Sequence, residues 1–282
     1  MIYLLDISDP LYTRRVAQFL SACAQEPLSG AAVQTRFRVY GGDTRVGLFW
    51  VQLQEQEQKE IPTAAVALAG GQLTVCDSAH SDSAELSAFL QLLGGYALFS
   101  ASPRLAALVA PPGESRTLTA MVYSSNAPRP AVPVNAFASA MICDNPAPGA
   151  IFALFCAVDD FFARHTQRDA WYVYMSHLLR HQLGFCAGIV QDGVLASTGG
   201  VYAQGDTHAI LSGLATRTDC RRQGYGASIM RHLIRRSLDA GKTPALYTAD
   251  SGLCDYYRRL GFVESHSWVE VAGCTCTQPQ VL

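Results

Sequence analysis

The stretch Leu211–Gly226, LSGLATRTDCRRQGYG, runs directly into ASIMRHLIRRSLDAG. An apolar strand pattern, a polar turn, the pair Arg221 and Arg222, then Gln223 and the glycines Gly224 and Gly226 precede a helical repeat. Glycine lets the main chain turn tightly and approach a ligand closely, while a helix start presents unpaired N–H groups and a positive dipole end. With two arginines beside them, the amides from Arg221 through Gln223, Gly224, Tyr225 and Gly226 to Ala227 are suited to cradle a pyrophosphate. No Gly-Lys-Ser/Thr follows, as an ATP-binding loop requires. Nor is there a Gly-x-Gly-x-x-Gly with an acid farther along, as a dinucleotide fold requires.

A second pattern, Tyr257-Arg-Arg-Leu-Gly-Phe262, follows the strand-like PALYTAD. Arg221, Gly224 and Gly226 match R-x-x-G-x-G/A, and Tyr257, Gly261 and Phe262 match Y-x-x-x-G-F. In this order the two resemble the signatures of the GNAT superfamily of acyl-CoA-dependent N-acetyltransferases, over roughly residues 150–272. The resemblance implies a mixed, mostly antiparallel sheet flanked by helices, an α/β (α+β) fold. It also implies acetyl-CoA as co-substrate and direct attack on it by a neutral amine of a small molecule or peptide.

The resemblance assigns residues too. The main chain at Leu214, Ala215 and Thr216 pairs with the pantetheine arm, Ser251 contacts the pantetheine region, and the Tyr257 phenol gives a proton to the departing thiolate. Tyr256 points to another face and is structural. Two departures stand out. Asp250 occupies a position where the family often has asparagine, and Ile210 and Leu211 stand where it often has a glutamate base. Asp206, His208, a water chain or an amine arriving deprotonated are the alternatives for that base. Tyr202, Ser212 and His208 are candidate pocket liners. A longer acyl group, or a non-catalytic CoA-binding or partner-binding module, are the competing functions.

The elements that must position these residues are legible in part. Helices are expected over 150–165 and over 169–182, the latter capped by Asp169, and strands over 184–191 and 194–203 around the turn Asp192-Gly193. A strand over 208–216 leads into the cradle. His177 and His181 share one helix face, but no glutamate follows His177 and no third ligand is evident, so no metal is expected.

Toward the N-terminus, a short strand and a helix-like repeat open the chain. Strands are expected over 35–40 and 44–54 around Gly41-Gly42-Asp43, a polar loop over 54–60, and strands over 63–69 and 72–76 around Gly70-Gly71. A helix over 83–93, capped by Ser81 or Asp82, and a strand over 95–100 complete the order. That order repeats in the second half, so the first reads as a degenerate GNAT-like copy. Its corresponding loop, Cys-Asp-Ser-Ala-His-Ser-Asp, has two acids and no arginine or glycine pair, and His80 is an ordinary turn residue. Prolines punctuate residues 111–148, around one strand over 117–124. The domain division is therefore set at 1–130, without a cofactor loop, and 131–282, catalytic.

With 282 residues, 49% of them hydrophobic and 16% charged, the chain has the composition of two globular domains. A net charge of −2 gives no footprint for nucleic acid or an anionic membrane. Nine scattered cysteines, no basic start with a long apolar run, and no stretch of about 18 apolar residues lead to the expectation of a cytoplasmic protein. Cys274 and Cys276 are read as part of a tail. An exposed sheet edge is compatible with a homodimer.

Overall fold

The computed structural model describes residues 1–41, 43–94, 96–126 and 142–273. Two compact units emerge, Met1–Leu118 with Ser267–Leu282, and Thr119–His266. The expected division at 130/131 lies among residues outside the described set, as do Gly42, Gly95, Cys274 and Cys276.

In the first half of the sequence the elements are β1 (Ile2–Leu4), α1 (Tyr12–Gln25), α2 (Pro27–Tyr40), β2 (Gly47–Gln56), β3 (Lys59–Ala69), β4 (Gln72–Asp77), α3 (Ser83–Leu92), β5 (Leu98–Ala101), α4 (Pro103–Val109) and β6 (Glu114–Tyr123). β2, β3 and β4 form an antiparallel meander, and β5 lies parallel to β4 after the α3 crossover. On the other side of β5 lies β12 (Phe262–Ala272), with Val269–Ala272 antiparallel to Leu98–Ala101.

Two expectations fail here. The strand expected over 35–40 is the second half of helix α2, so no hairpin joins it to β2. Pro27 supplies a preformed φ at the helix start, and Phe37 packs its ring 5.2 Å from both Phe19 and Phe49. That tertiary burial outweighs the strand preference of Thr35, Val39 and Tyr40. The polar loop expected over 54–60 is instead a two-residue turn, with Glu57 and Gln58 at φ 51° and 63°. Left-handed residues at both central positions match the twist of β2 and β3, and Gly70-Gly71 repeats the device at φ 59° and 73°.

In the second half follow β7 (Ile142–Asp144), α5 (Pro148–Val158), α6 (Asp160–His165), α7 (Arg168–Arg180), β8 (Phe185–Gln191), β9 (Val194–Gln204), β10 (His208–Thr216), a 3-10 turn (Thr218–Cys220), α8 (Tyr225–Asp239), β11 (Thr243–Thr248), α9 (Ser251–Arg259) and β12. β7 to β10 are successively antiparallel, and β11 is parallel to β10. Beside β11 runs β6, with Thr119–Val122 antiparallel to Ala245–Thr248. Asp192 and Gly193 make the expected left-handed hairpin at φ 52° and 76°.

The single helix expected over 150–165 is broken at Asp159, whose extended backbone ends α5 and whose carboxylate accepts the Phe162 N–H at 3.0 Å to cap α6. α7 starts from Gln167, without a side-chain cap, rather than from Asp169.

Both halves thus share one order: strand, helices, three antiparallel strands, helix, parallel strand, helix, strand. Each unit carries a mixed, mostly antiparallel set of strands on this GNAT-like plan. In each unit the strand beside the parallel pair comes from the other half of the sequence. In the second unit one cluster packs α8 and α9 on Leu211, Leu246 and Met121, and a second packs α5 against Cys186, Leu195 and Ala215 on the opposite face. Among the described residues, no helix is long and apolar enough to cross a membrane.

Candidate active site

The site forms where two parallel strands part. β10 pairs with β11 from His208 to Leu211, matched to Thr243–Leu246. β11 then continues to Thr248 against β6, whereas Ser212–Thr216 of β10 keep only β9, with a register shift between Ser212 and Ala215. The main chain of β10 beyond Leu211 therefore has no strand partner on its β11 side among the described residues, the geometry of a bulge that re-aims backbone groups. Gly213 makes the bulge possible. Its φ is 63°, and a Cβ there would stand 2.5 Å from the Phe155 ring and 2.8 Å from the Tyr202 ring.

Beyond β10 the backbone turns its amides inward. Arg221 has φ −67°, Arg222 62° and Gly224 80°, an alternation of sign that makes a concave nest for an anion. A left-handed non-glycine residue costs about 1–2 kcal/mol, so the conformation of Arg222 is held by its surroundings rather than preferred. Gly224 then starts α8 without a side-chain cap, leaving its first-turn amides to another partner. Opposite Gly226 the nearest atoms to a would-be Cβ are Thr216 Oγ1 at 3.7 Å and Leu214 Cδ1 and Tyr256 Oη at 3.8 Å. Protein packing alone does not demand glycine there.

The predicted cradle residues come together, and the structure adds partners that the sequence does not mark. Arg221, Arg222 and Gln223 are exposed, while Tyr225 and Ala227 are buried. Arg221 Nε donates to Thr216 O at 3.3 Å, tying the nest to the end of β10. Thr216 Oγ1 lies 2.8 Å from Ser197 Oγ, and Ser197 also donates to the Ala215 carbonyl. Leu214 is partly buried against the α8 and α9 cluster, and Ala215 is packed under α5. Arg217 holds Asp219 through two bonds of 2.7 Å, which lowers the Asp219 pKa and raises that of Arg217. The acid next to the nest is thereby neutralised. Neither Ser197 nor Arg217 carries a motif: Ser197 reaches Ala215 and Thr216 only across β9 and β10, and Arg217 meets Asp219 only through the conformation of the turn between them.

Tyr257 lies on α9, in contact with Phe262 at 6.1 Å between ring centroids, and is 7% exposed. Burial, then the charges of Asp250 and Cys254, push its phenol up to about 12, so the proton stays on Oη at neutral pH. Among the described residues that hydroxyl has no hydrogen-bond partner. Asp250 is the cap of α9, accepting the Gly252 N–H at 2.7 Å, and Ser251 is exposed at the first helical position. Tyr256, its ring 5.2 Å from that of Tyr257, packs against the same cluster and brings its hydroxyl beside Gly226 at the start of α8. The adjacent tyrosines were the only sequence signal for it.

The expected alternatives for a base are not gathered at the bulge. Asp206 and His208 lie at the opposite end of β10, where Thr207 Oγ1 is 2.9 Å from His208 Nδ1 and burial lowers the His208 pKa. Ser212 is exposed at the bulge, and Tyr202 faces Gly213 with Phe155, 6.5 Å between ring centroids. His177 and His181 place their rings 5.7 Å apart on an exposed surface, and no group of three metal-ligating residues occurs among the described residues.

The matching loop of the first unit is filled by its own side chains. Arg104 bonds Asp77 Oδ2 at 3.1 Å, Ser78 O at 3.0 Å and Ser81 Oγ at 2.9 Å, and the Asp82 carboxylate accepts the Ala84 and Glu85 amides. The helix-start amides that are left uncapped in the second unit are capped here. His80 is exposed.

Comparison with known proteins agrees with this geometry. The model of the Acetyltransferase (GNAT) family matches residues 153–262. Among solved structures, a tandem GNAT protein from the clavulanic acid biosynthesis pathway is similar over 98% of this chain and 100% of its own, at 14% identity and TM-score 0.54. A Drosophila protein covers 96% of this chain and 99% of its own at 12% identity and TM-score 0.63. A GNAT-family acetyltransferase from Colwellia psychrerythraea covers 97% and 99% at 13% identity and TM-score 0.52. No curated protein matches the sequence. At such identities the structures show the fold, a tandem of two GNAT-like halves, and the match of residues 153–262 to the GNAT acetyltransferase family supports acyl transfer in general.

Proposed function

We propose that this protein transfers an acetyl group from acetyl-CoA to a primary amine by direct attack, with Tyr257 as the proton donor. The observation that carries the reading is the nest at Arg221, Arg222 and Gly224, running into an uncapped helix start beside a strand that has left its neighbour. Acetyl-CoA supplies the thioester carbonyl that the amine attacks and the thiolate that leaves. The nest amides, with Arg221 and Arg222, suit its diphosphate. The main chain of Leu214, Ala215 and Thr216 offers N–H and C=O groups to an amide-rich arm, as a sheet edge does to an added strand. An N–H of the same bulge is suited to stabilise the oxyanion. Tyr257, protonated at neutral pH, holds a proton for sulfur. Ser251, at the exposed start of α9, is assigned to the pantetheine region. The similar clavulanic acid pathway protein is described as a structure without AcCoA, which supports the same ligand class here.

Calorimetry with acetyl-CoA tests the site. The parent chain binds, and Gly224→Glu, which puts a carboxylate where phosphate must approach, abolishes binding; unchanged affinity refutes the cradle. Thiol release over an amine library, for the parent and Tyr257→Phe, tests catalysis. Tight binding without turnover of any amine would favour a CoA-binding module instead, and faster turnover with a longer acyl-CoA would replace the acetyl assignment.

A further inference from the structure

The two faces of the second sheet differ at the point where β10 and β11 part. On one face Leu211, Leu246 and Met121 belong to the core beneath α8 and α9, which also contains Tyr257 and Phe262. An acceptor must therefore come from the other face. Residues paired across strands share a face, so Ile210, Ala245 and Val122 lie on that side, as do Tyr247 and Ala120.

That face is walled by rings, and none of Ile210, Ala245, Val122, Tyr247 and Ala120 beside the gap is charged. Phe155 and Tyr202 close over Gly213 on the β10 side of the gap. Tyr247 stands on the β11 side, with the His266 ring 6.5 Å from it. Phe155 continues into a set of interlocked rings, 5.2 Å from Phe162 and 6.2 Å from Trp171, with the half-buried Tyr172 at 5.7 Å from Trp171. At the outer end of this set Arg168 lies 5.5 Å over the Tyr172 ring, and the Asp159 carboxylate is occupied in capping α6 at the Phe162 N–H. Burial holds the Tyr202 phenol neutral, and lowers the His266 pKa so that its imidazole favours the neutral form.

We infer that the acceptor is an amine on an aromatic or similarly flat apolar skeleton, seated against Phe155, Tyr202 and Tyr247. Rings stack favourably at centroid separations of about 4.5–7 Å, whereas a polyamine would bring several ammonium groups against Ile210, Ala245, Val122, Tyr247 and Ala120, none of which is a carboxylate. Desolvation on such a wall also favours the uncharged amine, the form that attacks, which lessens the need for a dedicated base. This inference rests on the reading of the nest as the acetyl-CoA site.

The test measures kcat/KM with acetyl-CoA for 2-phenylethylamine, tryptamine and spermidine, with calorimetry of acetyl-CoA alone in parallel. The expected result is at least about tenfold preference for the aromatic amines, equivalent to about 1.4 kcal/mol. Tyr247→Ala should lower kcat/KM for them while the thermal midpoint and acetyl-CoA affinity hold. Equal or better use of spermidine overturns the inference. So does binding of acetyl-CoA without turnover of either aromatic amine, which leaves the cofactor reading standing. A parent chain that binds no acetyl-CoA overturns both.

Discussion

The Tyr225 hydroxyl, at the first position of α8, donates to Gln191 Oε1 at 3.1 Å, and the Cys220 thiol approaches the same oxygen at 3.5 Å. One side chain at the end of β8 thus pins both the 3-10 turn before the nest and the helix after it. Gln191→Ala should cost about 1–3 kcal/mol of stability, because the Tyr225 hydroxyl loses its acceptor inside a buried environment. Denaturant unfolding measures the loss, and calorimetry should show weaker acetyl-CoA binding along with it. Full affinity would mean that the nest holds its shape without Gln191.

Arg217→Ala leaves Asp219 uncompensated beside the proposed diphosphate site. Asp219 is exposed and Arg217 half-buried, so the effect is modest, up to about fivefold in acetyl-CoA affinity and shrinking with added salt. Adding Asp219→Asn to that variant should restore binding. If the double variant binds as weakly as the single one, Arg217 acts through something other than neutralising Asp219.

Gly213→Val combines a left-handed backbone with a side chain driven into Phe155 and Tyr202. Strain of about 1–2 kcal/mol and overpacking of about 1–3 kcal/mol add to a loss of several kcal/mol, read by thermal or denaturant unfolding. A neutral outcome would show that the bulge can relax into a regular strand.

These positions show what a sequence makes visible. Asp192-Gly193 and Gly70-Gly71 announce their turns because the residues themselves favour a left-handed backbone, and Gly224 does the same within the nest, whereas Arg222 is held left-handed by its surroundings. Glu57 and Gln58 adopt an equivalent turn without any such preference, since the twist of β2 and β3 imposes it. Thr35 and Val39 read as strand because their local preference is weaker than the burial of Phe37 between Phe19 and Phe49. Tyr257 was legible by motif. The service of Arg217 to Asp219 and of Gln191 to Tyr225 was not, because the first needs the nest's conformation and the second spans distant parts of the chain.

Tyr257→Phe should lower kcat by about a hundredfold or more and leave acetyl-CoA affinity nearly unchanged, since the hydroxyl is assigned to proton transfer and the ring to packing. Burial raises the phenol's pKa to about 12, so its protonated fraction is complete at neutral pH and declines only as pH climbs toward that value. Parent activity should therefore rise between about pH 6 and 10 as the amine deprotonates, with no descending limb from Tyr257 in that range. A fall in activity below pH 10, in a protein that stays folded, would remove Tyr257 from this role.

Arg104→Met removes the cation that bridges Asp77, Ser78 and Ser81. With the Asp77 side chain almost wholly enclosed and keeping only the Ser102 hydroxyl, a loss of about 1–3 kcal/mol is expected in denaturant unfolding. Acetyl-CoA affinity should not change. A drop in affinity at preserved stability would give the first unit a part in ligand binding.

The reciprocal placement of β6 and β12 bears on how this protein is made. During synthesis, β5 emerges without its neighbour, because the residues that supply it, Val269–Ala272, are made only after the whole of the second unit. Completion of the earlier unit thus waits on synthesis of the later one. A nascent chain stalled before Ser267 should remain more sensitive to protease in that unit than the released protein.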